Sequence, residues 1–152
     1  MSNWTHVIAS VRLDSWRGAE GCLKEGIKDT DYTLEDFFKV FGKECSFYSP
    51  NAIWDDVDKN PNDYLPMGSE GSLELSYWVN PQKCDCFSYV VTIFGDLRDH
   101  DSADEIIEWF KNKTNEIEND ERNNLSIRQA VITAYNERNG SKTWHWDYGS
   151  EE

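Results

Sequence analysis

An α+β fold is what this sequence predicts, and three observations predict it. Four segments alternate apolar and polar residues with the two-residue period of half-buried strands. Two further segments repeat their apolar residues at helical spacing and carry helix start signals. Their order along the chain is strand, helix, strand, strand, helix, strand. That order suits a ferredoxin-like βαββαβ sandwich, with an antiparallel four-stranded sheet, two helices on one face and a long loop at 43–71.

The first strand is expected over residues 4–13, where Val7, Ala9, Val11 and Leu13 share one face and His6, Ile8, Ser10 and Arg12 the other. Residues 14–32 mix five acids with glycine and serine and read as a loop or short helical excursion. Thr33-Leu34-Glu35-Asp36 then has the form of a capping box, with Asp36 in the place of the usual Glu or Gln. Leu34, Phe37, Phe38 and Phe41 form its apolar face, and Gly42 is its expected stop. The stretch 43–71 holds Pro50, Pro61 and Pro66 among acids and aromatics. Connections of that length inside a compact domain are usually functional or disordered.

Leu73, Leu75, Tyr77 and Val79 mark the second strand, and Phe87, Tyr89, Val91 and Ile93 the third. The short link through Asn80-Pro81 makes them an antiparallel hairpin. Ser102 and Glu105 form a capping box for the second helix, whose stripe is Ile106, Trp109, Phe110, Lys113 and Ile117. The fourth strand runs from Ser126 to Tyr135 through Ile127, Ala130, Val131 and Ile132. Trp144 to Tyr148 is a candidate terminal strand pairing with the fourth, which would turn the sandwich into an α+β meander. No linker or repeat divides residues 1–152, so one domain is expected.

The chain is acidic, with Lys plus Arg at 15 against Asp plus Glu at 29, a formal net charge of −14. Such a balance disfavours nucleic acid phosphates and anionic membranes, which repel it, and favours a protein partner with a basic surface. No apolar run reaches membrane-spanning length, and the opening residues have no basic or apolar signal region. A cytoplasmic location is therefore expected. Cys22, Cys45, Cys84 and Cys86 are then reduced thiols. They lack the paired knuckles of a zinc site, so neither metal nor cofactor is expected.

No catalytic constellation stands out, since there is no activated serine or cysteine with a partner base. Asp96, Asp99, His100 and Asp101 cluster after the third strand, where carboxylates could take a divalent cation, although capping and turn roles explain them more simply. Gly68-Ser69-Glu70-Gly71-Ser72 precedes a strand, not a helix, and reads as a turn in place of a phosphate cradle. His6 and His145 flank tryptophans, as packing residues do. Between Asp96 and Glu121 lie ten acids and three bases. Such a run either solubilises the chain or steers a basic partner. Seven tryptophans exceed the needs of a core this size, and tryptophan favours interfaces. The open sheet face is expected to show His6, Arg12, Trp78, Thr92 and Phe94, aromatic but nearly without the bases that an RNA-binding face interleaves.

Trp4-Thr5-His6-Val7-Ile8-Ala9-Ser10-Val11, the segment 65–73 (Leu65-Pro66-Met67-Gly68-Ser69-Glu70-Gly71-Ser72-Leu73) and Tyr89 to Asp99 resemble small uncharacterised proteins of T4-like and other large tailed bacteriophages. The resemblance implies a small protein made in the host cytoplasm that binds a host enzyme or defence component. It carries no functional residue across. Three readings follow. The first is a non-enzymatic module docking a protein through Asp101, Asp104, Glu105, Glu108, Trp78 and Trp54. The second is a small-molecule or metal-binding protein or enzyme with a pocket under loop 43–71, lined by Trp54 and Tyr64 and served by Asp96, Asp99 and His100. The third is a structural homo-oligomer, in the simplest case a homodimer built by sheet pairing.

Overall fold

The computed structural model describes residues 2–15, 33–44, 59–68, 71–81, 87–99, 102–119 and 125–147. Strand β1 (Trp4–Ser15) is central, β2 (Glu74–Pro81) and β3 (Phe87–Arg98) lie to one side, and β4 (Leu125–Asn136) and β5 (Gly140–Asp147) to the other. Helices α1 (Leu34–Phe41) and α2 (Ala103–Asn119) complete the elements. The sheet order is β2-β3-β1-β4-β5, with every neighbouring pair antiparallel.

The sheet therefore has five strands where four were expected. The first four follow the β2-β3-β1-β4 order of a split βαβ arrangement, and β5 is added outside β4 by a hairpin. The turn between them is held by the Asn136 side chain, whose Oδ1 accepts from the backbone N–H groups of Arg138 and Asn139, both at 3.0 Å. Burial rewards the extra strand. Trp144 and Trp146 lie on its inner side against the core, and Trp144 meets Phe110 of α2 edge-on at 5.9 Å.

One core fills the space between sheet and helices. It takes Val7, Ala9, Val11 and Leu13 from β1, Leu73 and Leu75 around the start of β2, and Tyr89, Val91, Ile93 and Leu97 from β3. The helices contribute Phe37 and Phe41 from α1, and Ile106, Phe110 and Ile117 from α2. Phe37 packs against Tyr89 at 5.3 Å and Tyr77 at 5.2 Å, so α1 covers the β2–β3 side of the sheet, while α2 covers β4 and β5. The expected capping box of α1 is present. Thr33 Oγ1 accepts from the Asp36 backbone N–H at 3.3 Å, and Asp36 Oδ2 accepts from the Thr33 N–H at 2.9 Å. Gly42 ends that helix at φ 128° with its N–H on Phe38 O.

The fourth strand departs from simple alternation. Its register with β1 shifts beside Arg12 and Leu13, so Arg128 and Gln129 both face away from the core between buried Ile127 and Ala130. This bulge explains why its buried residues change from odd to even positions, and why Val131 and Tyr135 point outward. Within 43–71 the described residues are pinned to the body. Lys43 bridges Tyr64 in parallel, Met67 bridges Ser72, Pro61–Asp63 forms a 3-10 turn, and Leu65 is buried. Gly68 and Gly71 lie against the backbone of Arg98 and Asp96 at the end of β3. The turn is closely packed, because a Cβ at either glycine would collide with that strand.

Candidate functional site

Both helices lie on one side of the sheet, and no described helix covers the other. The open face carries alternate residues of each strand. On β1 these are Trp4, His6, Ile8, Ser10, Arg12 and Asp14. All five residues expected there, His6, Arg12, Trp78, Thr92 and Phe94, share it by register.

Its centre is apolar. Ile8 is 69% exposed and sits directly opposite Phe94 of β3. Tyr135 and Val131 of β4 are its diagonal neighbours, and both are exposed. Trp78, 57% exposed on the edge strand β2, lies further along, across from Val90. Polar groups bound this patch at both ends. At one end Asp14 accepts from Ser88 Oγ at 2.8 Å and pairs with Arg128 at 3.2 Å.

At the other end His6 stands between two carboxylates. Its Nδ1 is 2.6 Å from Asp96 Oδ1, and its Nε2 is 2.9 Å from Glu137 Oε2. The ring lies nearly parallel to that of Tyr135, 16° between planes and 6.0 Å between centroids. Ionised carboxylates only accept hydrogen bonds, so both contacts are satisfied together by the imidazolium, which has two donors. The hydrogen bond to Asp96, then that to Glu137, holds the His6 pKa above its usual value. Glu137 also accepts from the Trp4 backbone N–H through Oε1 at 3.3 Å, and its own N–H donates to Trp4 O at 3.0 Å. The cluster thus ties β1 to β3 and to the β4–β5 turn.

Sequence reasoning missed this cluster because its members are 90 and 131 residues from His6 and meet only through strand pairing. The one usable signal was the outward register of His6. Of the acid group after the third strand, Asp96 and Asp99 lie among the described residues. Asp96 turns to His6, while Asp99, at φ 57°, closes the turn by donating its N–H to Asn3 O at 2.6 Å. His100 and Asp101 lie outside the described residues, as do Trp54 and all four cysteines. Among the described residues no group of histidine, cysteine and carboxylate side chains is placed to hold a metal ion.

Asp104, Glu105 and Glu108 are exposed on α2, and the Glu105 N–H donates to Ser102 Oγ at 3.2 Å. They occupy the helical layer, whereas Trp78 lies on the opposite face of the sheet. These residues therefore do not form one continuous surface. No described helix is long and apolar enough to cross a membrane.

No family model matches the sequence, and no curated protein matches it. Solved structures similar to the chain include a phage SAM lyase in complex with S-methyl-5′-thioadenosine. It is 12% identical, at TM-score 0.42, over 97% of this chain and 93% of that one. A phage SAM lyase in the apo state is 14% identical, at TM-score 0.36, over 95% and 92%. Likeness at this level transfers neither residues nor activity.

Proposed function

We propose that the chain is a binding module that docks a protein partner on the open face of its sheet. The observation that carries this reading is the exposed patch of Ile8, Phe94, Tyr135 and Val131, with Trp78 further along the same face and polar clusters at both ends. An apolar centre within a polar rim is the usual anatomy of a docking surface. The partner presents an apolar anchor surrounded by basic groups. Asp96, Glu137 and Glu74 face it from the rim, and a net charge of −14 attracts it from a distance while opposing the pairing of two copies. On this reading Asp104, Glu105 and Glu108 steer the encounter from the other layer.

Three baits test the reading at low and high salt: the wild type, an Ile8→Ser/Trp78→Ser/Phe94→Ser variant, and an Asp104→Lys/Glu105→Lys/Glu108→Lys variant. The expected result is one stoichiometric protein on the wild type that is weakened by salt and lost from the open-face variant, with thermal unfolding of that variant intact. Retention by the open-face variant with loss from the helix variant moves docking to α2. A dimer seen by light scattering and abolished by the open-face changes makes the occupant a second copy. An empty wild-type bait overturns the reading.

A small-molecule site is the second reading, and one observation favours it. An imidazole held between two carboxylates beside exposed aromatic rings can bind or protonate a polar ligand. Native mass spectrometry with nucleotides and with S-methyl-5′-thioadenosine as probes is its test. A bound adduct that disappears in the Asp96→Asn variant supports it, and a bare mass with every probe removes it.

A further inference from the structure

We propose that the His6–Asp96–Glu137 cluster is a proton-controlled staple at one end of the open face. With its proton, His6 joins β1 to β3 and to the β4–β5 turn; without it, one carboxylate loses its donor and is released beside Tyr135 and Ile8.

The geometry carries this inference. An imidazole with a single proton can donate to only one of the two carboxylates, and the second nitrogen then presents its lone pair to an anion. Both contacts are short, at 2.6 and 2.9 Å, so losing the proton converts one attraction into a repulsion. Among the described residues, the titratable groups facing the ring are Asp96 from β3, Glu137 from the turn and Tyr135 from β4. Arg98, on the same face of β3, turns instead to Ser2 Oγ at 3.0 Å and lies 3.9 Å from Asp99. It does not take the place of the imidazolium.

The sign of the pH dependence follows from the raised pKa of His6. The staple contributes all its stability below the ordinary histidine value of 6.5 and loses it as pH rises through the raised value. Above that point the cluster carries a charge of −2 in place of −1. The consequence for docking, a rim more attractive to a basic partner at higher pH, rests on the reading above; the staple itself does not.

The test uses the free full-length chain. NMR titration of the histidine rings from about pH 5.5 to 9 assigns His6 by its loss in the His6→Gln variant. The backbone amides of Trp4 and Glu137, which join across the cluster, are followed in the same titration. The expected result is a His6 midpoint above 6.5 that both amides share, and that falls towards 6.5 in an Asp96→Asn/Glu137→Gln variant. Thermal unfolding of the wild type should drop over that interval more than that of His6→Gln. A His6 midpoint at or below 6.5 in the wild type overturns the staple, and so do amides that ignore the midpoint. Neither readout involves a partner, so failure here leaves the docking reading standing on its own test.

Discussion

Replacing Phe110 with alanine is expected to cost about 3–5 kcal/mol of folding stability, the usual loss for a fully buried aromatic ring. Phe110 is entirely buried between α2 and the sheet, with the Trp144 ring edge-on at 5.9 Å and 78° and Trp109 at 6.2 Å. Its ring therefore joins α2 to β5. Domains of this size have only about 5–15 kcal/mol in total, so the variant should fall near its unfolding threshold. Denaturant unfolding at constant m-value gives the figure, and the melting temperature should fall by about 6–20 °C. A loss below about 1 kcal/mol would show that α2 does not pack on β5 as described. The proposed docking patch is on the other side of the sheet, so any partner binding through it should survive in whatever fraction remains folded.

Gly71→Ala is the second large effect, and it links the loop to the His6 cluster. Gly71 has φ +86°, and a Cβ there would fall on the carbonyl oxygen of Asp96. Both penalties act together: a left-handed conformation costs an L-residue about 1–2 kcal/mol, and overpacking costs about 1–3 kcal/mol. The expected loss is about 2–5 kcal/mol on those two scales. Gly140→Ala is the control, because Gly140 has φ +88° but nothing within 4 Å of the added Cβ. It should lose only the conformational part, about 1–2 kcal/mol. Equal losses from the two variants would mean that the turn does not press on β3. Displacement of the Asp96 backbone should also lengthen the contact to His6, so the His6 NMR signal is expected to move in Gly71→Ala.

Much of the architecture can be read along the chain because it depends on neighbours in sequence. The alternation from Val7 to Leu13 sets which residues of β1 face the core, and the same alternation placed His6, Arg12, Trp78, Thr92 and Phe94 on the open side. The Thr33–Asp36 capping box and the Gly42 stop bound α1 through hydrogen bonds that reach three or four residues. The fifth strand was legible in the sequence as the candidate terminal strand from Trp144, pairing with the fourth. Whether Trp144 and Trp146 would pack was decided by α2, which supplies Phe110 for Trp144 to meet.

Residue types, periods and caps were thus determined by the sequence alone, because they follow from local sterics and from the 2.0- and 3.6-residue repeats. The tertiary structure decided register and neighbourhood. The bulge in β4 sends Val131 and Tyr135 outward, next to Ser10 and His6. Antiparallel pairing of β1 with β3 brings Asp96 to His6, and the β4–β5 turn brings Glu137 to the other edge of the same ring. The physical reason is that a charge cluster needs contacts within about 4 Å, and residues far apart in sequence come that close only through the sheet's hydrogen-bonded register.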